Sequence, residues 1–170
     1  MKLNQNPADS LVLEPLDQEV SNFLNLFESG VSSFLDDLDE PVQSLAKRVF
    51  SAGGKRIRPR LCFHCCLGTA VSTVDLIKAS AVIEFVHVAT LVHDDILDGA
   101  SVRRGKKTIH TEIGNHSSIL LGDALFSYAL ELATEFPSPF ICRIVSKATR
   151  KTCSGAIRQT FCRGNFSLTP

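Results

Sequence analysis

The longest apolar stretch of this chain ends on a cluster of acids, and that juxtaposition limits what the chain can fold into. From Val74 to Leu97 alanines and branched aliphatic residues run nearly all round a helical wheel. A helix of that kind is buried on most of its surface. The run closes on Leu91-Val-His-Asp-Asp-Ile-Leu-Asp98, and the basic pair Arg103-Arg104 follows. At helical spacing Glu84, His87, Leu91, Asp94 and Asp98 share one face. Asp94, Asp95 and Asp98 crowd together there and repel one another unless a cation neutralises them. The C-terminal end of a helix adds its own partial negative charge. Oxygen ligands of this type suit Mg²⁺, which keeps several waters and bridges to phosphates. The expectation is a magnesium–phosphate site at the mouth of a helical bundle.

The flanking segments read as helices as well. Leu16, Val20, Phe23, Leu24 and Phe27 form an apolar stripe within Leu11–Gly30, with Gly30 as a stop and a short helix over Val31–Leu38. Pro41 opens a helix to Phe50. Ser51-Ala-Gly-Gly54 breaks it, and Pro59 fits the first turn of the next. After the basic loop Gly99–Lys107 come a short helix over Thr108–Glu112 stopped at Gly114-Asn115, a long one over Ser117–Phe136, and a last segment over Ile141–Arg163. No strand alternation or internal repeat is evident, so the fold class is all-α with six to eight helices. The polar residues 1–10 are expected to be a disordered tail, and residues 11–170 one helical domain.

Composition narrows the function. Lys plus Arg and Asp plus Glu number 18 each, so bulk charge gives no reason to expect nucleic acid or an acidic membrane. The start lacks a secretory pattern, and no stretch reads as a transmembrane segment, because Glu84, His87 and His93 interrupt the apolar run. A cytoplasmic protein is the default. Its six cysteines then need no disulfides, and the CxxC of Cys62–Cys65 lies in a helix, where thiols serve as small buried hydrophobes. Asp36, Asp37 and Asp39 read as a solvated or capping run, Asp123 as a cap or a partner of Lys107, and His93 as structural.

A second cluster lies upstream. Gly53 and Gly54, the cations Lys55, Arg56 and Arg58, and a helix N-terminus at Pro59 together make an anion site. His87 sits two turns before Asp94 on the same face and points to a phosphate contact. Gln159 shares a face with Cys162 and is placed to reach a metal-bound water.

These pieces together resemble the trans-isoprenyl diphosphate synthases, the polyprenyl synthetases. The resemblance rests on Gly53-Gly-Lys-Arg-Ile-Arg-Pro59, Glu84-Phe-Val-His-Val-Ala-Thr-Leu-Val-His-Asp-Asp-Ile-Leu-Asp98, Arg103-Arg-Gly105, Gly122-Asp123 and Gly155-Ala-Ile-Arg-Gln159, in that order. It is nearest to medium- and long-chain, octaprenyl-type members and corresponds to about the N-terminal half of one. It implies an isoprenoid-synthase helical bundle that joins isopentenyl diphosphate to an allylic diphosphate, with Mg²⁺ as cofactor. By resemblance Asp94, Asp95, Asp98 and Arg103 are catalytic. Mg²⁺ falls on Asp94 and Asp98, with Asp95 supporting. Isopentenyl diphosphate falls on Lys55, Arg58, His87 and Arg104, the allylic diphosphate on Arg103, and Gln159 near the metals. Ala89 and Thr90, small residues where bulky aromatics close the cavity floor in short-chain members, imply a longer product. The family also implies a homodimer or pairing with a related subunit.

The chain departs from the family in carrying no second aspartate-rich motif before Pro170, and in having Ala156 where members usually carry Glu. The expectation is a truncated form, about the first half of the bundle, inactive alone. Two other readings stand beside it. One is a non-catalytic subunit or pseudoenzyme that pairs with a full synthase. The other is an HD-type metal phosphohydrolase built on His93-Asp94 with His64.

Overall fold

The computed structural model describes residues 7–162, with side chains from residue 16 onward. Residues 1–6 of the expected tail lie outside the described residues, and the first helix begins at Pro7. In chain order the elements are α1 (Pro7–Asp36), α2 (Val42–Phe50), α3 (Ile57–Cys66), α4 (Thr73–Leu97), β1 (Val102–Arg103), β2 (Lys106–Lys107), α5 (His110–Thr134) and α6 (Phe140–Cys162). The chain is thus all-α apart from one small hairpin.

Helix α4 is the axis. Ser72 caps it by accepting the Asp75 backbone N–H, as a serine before a helix does. Leu76, Ala81, Val82, Phe85, Val88, Ala89 and Val92 are buried along it, and α1, α3 and α5 pack around it. By length and composition alone α4 is the one helix among the described residues long and apolar enough to cross a membrane, a property that a core helix shares. Its buried side chains are instead spent on this core. From α5 come Leu121, Leu125, Ala129 and Leu132, and from α1 Val20, Phe23, Phe27, Val31 and Leu35. Fully burying a side chain such as Phe27, Phe85 or Leu125 is worth about 1.5–3 kcal/mol. Phe85 sits between Phe50, 4.7 Å away ring to ring, and Tyr128 at 5.3 Å. It thereby joins α2, α4 and α5. Helix α6 rests on α5 through the half-buried Ile141, Cys142 and Val145 and buries none of its own residues fully.

Three boundaries differ from the sequence reading. Gly30 does not stop a helix; α1 runs through it to Asp36. The absent side chain serves packing, since a Cβ there would lie 2.6 Å from Ile77 Cγ2 on α4. The expected break at Gly114 is a kink within α5, at φ 80° and ψ 161°. The basic loop carries a two-stranded antiparallel hairpin, Val102 opposite Lys107 and Arg103 opposite Lys106. Arg104 and Gly105 turn it with φ of 52° and 77°. Positive φ at both turn residues is the hairpin geometry that suits strand twist. Two-residue strands are too short to show alternation, so the sequence pattern does not reveal them.

In an ordinary helix Gly→Ala gains about 1 kcal/mol. Gly30→Ala should instead cost about 1–3 kcal/mol in urea unfolding, because a stiff β-branched Ile77 must give way. In an Ile77→Ala background the same substitution should recover the usual gain.

Candidate functional site

The end of α2, the loop after it, one stripe of α4 and the hairpin enclose a cavity of about 490 Å³. Its floor is apolar, made by Phe50, Val88, Leu91, Val92 and Ile109, and its walls carry Arg56, His87, Arg103, Arg104 and Lys106. A second hollow of about 460 Å³ adjoins it and is lined by Gly54, Lys55, Arg56, Ile57, Arg58, Glu84, His87 and Arg104. The two share Arg56, Glu84, His87 and Arg104. The glycine-flanked basic loop, His87 and the hairpin arginines, far apart in sequence, thus meet around one space.

Each cationic group is held by a local device. Arg56 caps α3 from a left-handed backbone, φ 46° and ψ 43°. Its Nε donates to Glu28 Oε1 at 2.6 Å, its Nη1 to Glu84 Oε1 at 2.9 Å, and its Nη2 to Glu28 Oε2 at 3.2 Å and to the Phe50 carbonyl at 3.4 Å. Burial works against its charge, but the two carboxylates more than offset that and raise its pKa above the ordinary value. Arg103 Nε donates to Oδ1 of the buried Asp95 at 2.6 Å. Lys106 Nζ donates to the Ser51 carbonyl at 2.9 Å, tying the hairpin to the loop after α2. Arg104 lies against Gly54, where a Cβ would come within 2.8 Å of its Nη1. The glycine therefore makes room for the guanidinium.

His87 registers the resulting field. Burial first, then Arg58, Arg104 and Arg103, push its pKa down to about 4, with Asp94 opposing. Its imidazole is neutral at neutral pH. The same influences show that Arg58, Arg103, Arg104 and Asp94 all act on one ring.

Asp94 and Asp98 are exposed, one turn apart at the end of α4, and line neither cavity. Neither enters an ion pair among the described residues. No group of three or more candidate ligands occurs among the described residues. A pair of exposed carboxylates is nonetheless the donor set that suits Mg²⁺, a hard ion held by one or two carboxylates plus water and phosphate. Asp95, a quarter turn away, faces inward to Arg103 instead. Gln159 is exposed on α6 and lines neither cavity. Ala89 is core and Thr90 Oγ1 donates to the His87 carbonyl at 2.8 Å, so neither forms the cavity floor.

Two expected pairings change. Asp123 faces His93, Oδ1 to Nε2 at 3.6 Å, and not Lys107. His93 Nε2 also donates to the Ile119 carbonyl at 3.1 Å, so this ring fastens α4 to α5 and is not free beside Asp94 for HD-type metal binding. The Arg56–Glu84–Glu28 network escaped the sequence reading. The available signal was Glu84 itself, since an acid inside an apolar run needs a buried cation.

Residues 39–169 match the model of a family described as polyprenyl synthetase. The chain is 31% identical to the chloroplastic solanesyl diphosphate synthase 2 of Arabidopsis thaliana, over 94% of itself and 40% of that protein. To the octaprenyl diphosphate synthase of Escherichia coli it is 33% identical, over 77% of itself and 42% of that protein. Among solved structures it resembles a polyprenyl synthase from Caulobacter crescentus complexed with calcium and isoprenyl diphosphate, with a TM-score of 0.76, 32% identity, and coverage of 88% of this chain and 48% of that one. The chain therefore spans rather less than half the length of these relatives.

His87 should titrate near 4 by NMR, and Arg104→Ala should move its midpoint toward 6.5. Below about 6.5 the unfolded chain takes up a proton that the folded ring refuses until about 4. Stability should fall as pH drops through that window, and His87→Gln should flatten the fall.

Proposed function

The chain belongs to the polyprenyl synthetase family, and from that membership we propose that it forms the isopentenyl-diphosphate and first magnesium-binding surface of a trans-polyprenyl diphosphate synthase. The reaction joins an allylic diphosphate to isopentenyl diphosphate with loss of pyrophosphate and a proton. The observation that carries this reading is the convergence of Lys55, Arg58 and Arg104 on His87 beside a hollow with an apolar neighbour.

Lys55, Arg58 and Arg104 grip the diphosphate of isopentenyl diphosphate through charge-assisted hydrogen bonds. His87, neutral at rest, donates one N–H to the same group. Arg103 keeps both Nη groups for the allylic diphosphate while Asp95 steadies its Nε. The apolar floor under Leu91 and Val92 keeps water from the reacting carbons. Asp94 and Asp98 would hold Mg²⁺, which when bound would supply positive charge against a diphosphate leaving group. The calcium and isoprenyl diphosphate named for the Caulobacter protein support a divalent ion beside a diphosphate. Gln159 is proposed to approach the metal from α6.

The octaprenyl and solanesyl products named for the relatives support a medium- or long-chain product. Exposed Ile119 and Leu120 on α5 support pairing with a second copy or a related subunit. All six cysteines are free, in keeping with a reducing cytoplasm.

Titration calorimetry with isopentenyl diphosphate and Mg²⁺ tests the site. Lys55→Ala, Arg58→Ala and Arg104→Ala should each weaken binding on the order of ten- to a hundredfold. Asp94→Ala with Asp98→Ala should remove the Mg²⁺ dependence. Wild-type protein that binds no diphosphate overturns the proposal. Ligand should also raise the His87 midpoint, because the anion cancels the arginines that depress it. Binding should accordingly tighten as pH falls toward that midpoint.

A further inference from the structure

Arg56 lies between Lys55 and Arg58 on the same basic loop, yet its guanidinium is the one in that loop committed to carboxylates. We propose that Arg56 is a positioning residue: clamped to Glu28 of α1, Glu84 of α4 and the Phe50 carbonyl of α2, it holds Lys55 and Arg58 where they grip the anion. The inference rests on reading the site as a diphosphate site.

Three observations carry it. The first is backbone strain. Arg56 has φ 46°, a region that L-residues with side chains avoid, so something must hold the loop there. Its partly buried side chain is tied to three helices and supplies that hold. The second is donor use. An arginine that recognises phosphate keeps its planar fork free. Here Nε and Nη2 form a fork on Glu28, and Nη1 is spent on Glu84. The third is charge. Two carboxylates on one guanidinium leave this group no positive potential to offer an anion. The pull on the ligand comes from Lys55, Arg58 and Arg104, none of which enters an ion pair among the described residues.

Positioning and direct binding predict opposite signs for one substitution. Glu28 is half exposed, lines neither cavity and touches the site only through Arg56. If Arg56 were itself a ligand of the anion, removing Glu28 would free its fork and tighten binding. If Arg56 positions its neighbours, removing Glu28 slackens the loop and weakens binding.

The test compares wild type, Glu28→Gln and Glu28→Asp in the full chain. Pyrophosphate affinity is measured by calorimetry and the His87 midpoint by NMR without ligand. His87 faces Arg58 of α3, Arg103 and Arg104 of the hairpin, and Asp94 of its own helix, and shares a hollow with Lys55, Arg56 and Glu84. Its midpoint therefore reports whether Arg58 has moved, which loss of overall stability alone would not shift.

Glu28→Gln is expected to bind pyrophosphate roughly three- to tenfold more weakly and to raise the His87 midpoint above about 4. Glu28→Asp is expected to restore part of both. Unchanged or tighter pyrophosphate binding, or a midpoint that stays or falls, overturns the inference. Wild type that binds no pyrophosphate brings down the diphosphate reading, and the ligand-free midpoint then judges the clamp by itself.

Discussion

The packing of α4 against α5 is the contact on which the rest of the molecule depends. Phe85 and Tyr128 meet across it, Leu125 and Val82 are fully enclosed by it, and His93 is seated on Gly122 with its Nε2 on the Ile119 carbonyl. Once that face of α4 is committed to the core, the opposite stripe of Glu84, His87, Leu91 and Asp95 faces the loop after α2 and the hairpin. Asp94 and Asp98 then fall on the outer side of the same helix end. One apolar interface thus decides which charged residues line a hollow and which face solvent.

Within that frame the balance of charge is uneven. Glu84 takes Arg56 and Asp95 takes Arg103, while Lys55, Arg58 and Arg104 stay free of carboxylates among the described residues. Pairing satisfies the buried acids, which otherwise bear a large desolvation penalty. Arg58 and Arg104 bear on His87, whose pKa is lowered first by burial and then by these two cations and Arg103. An anion entering the hollow restores neutrality, which makes the free site's imbalance a physical reason for it to bind one.

The all-α fold and α4 were legible in the sequence, because burial periodicity is a local signal. The expected face shared by Glu84, His87, Asp94 and Asp98 divides in the structure, with Asp95 and not Asp94 or Asp98 turned to the hollow. Gly30 misled because a glycine that ends a helix and one that admits a neighbouring helix look alike until Ile77 is seen beside it. The hairpin at Arg104-Gly105 was hidden because its strands are two residues each. Asp123 went to His93 because a helix crossing, not nearness in sequence, brought them together. The two aspartates and the three loose cations were named from spacing and resemblance. Arg56 was passed over as one more cation, since only the fold shows that Glu28 and Glu84 close on it.

The seat of His93 on Gly122 carries a mechanical consequence. A ring pressed against a bare backbone and bonded to the Ile119 carbonyl resists sliding of α4 along α5. Shear between these two helices, a common way for bundles to respond to ligands, would first have to break that contact.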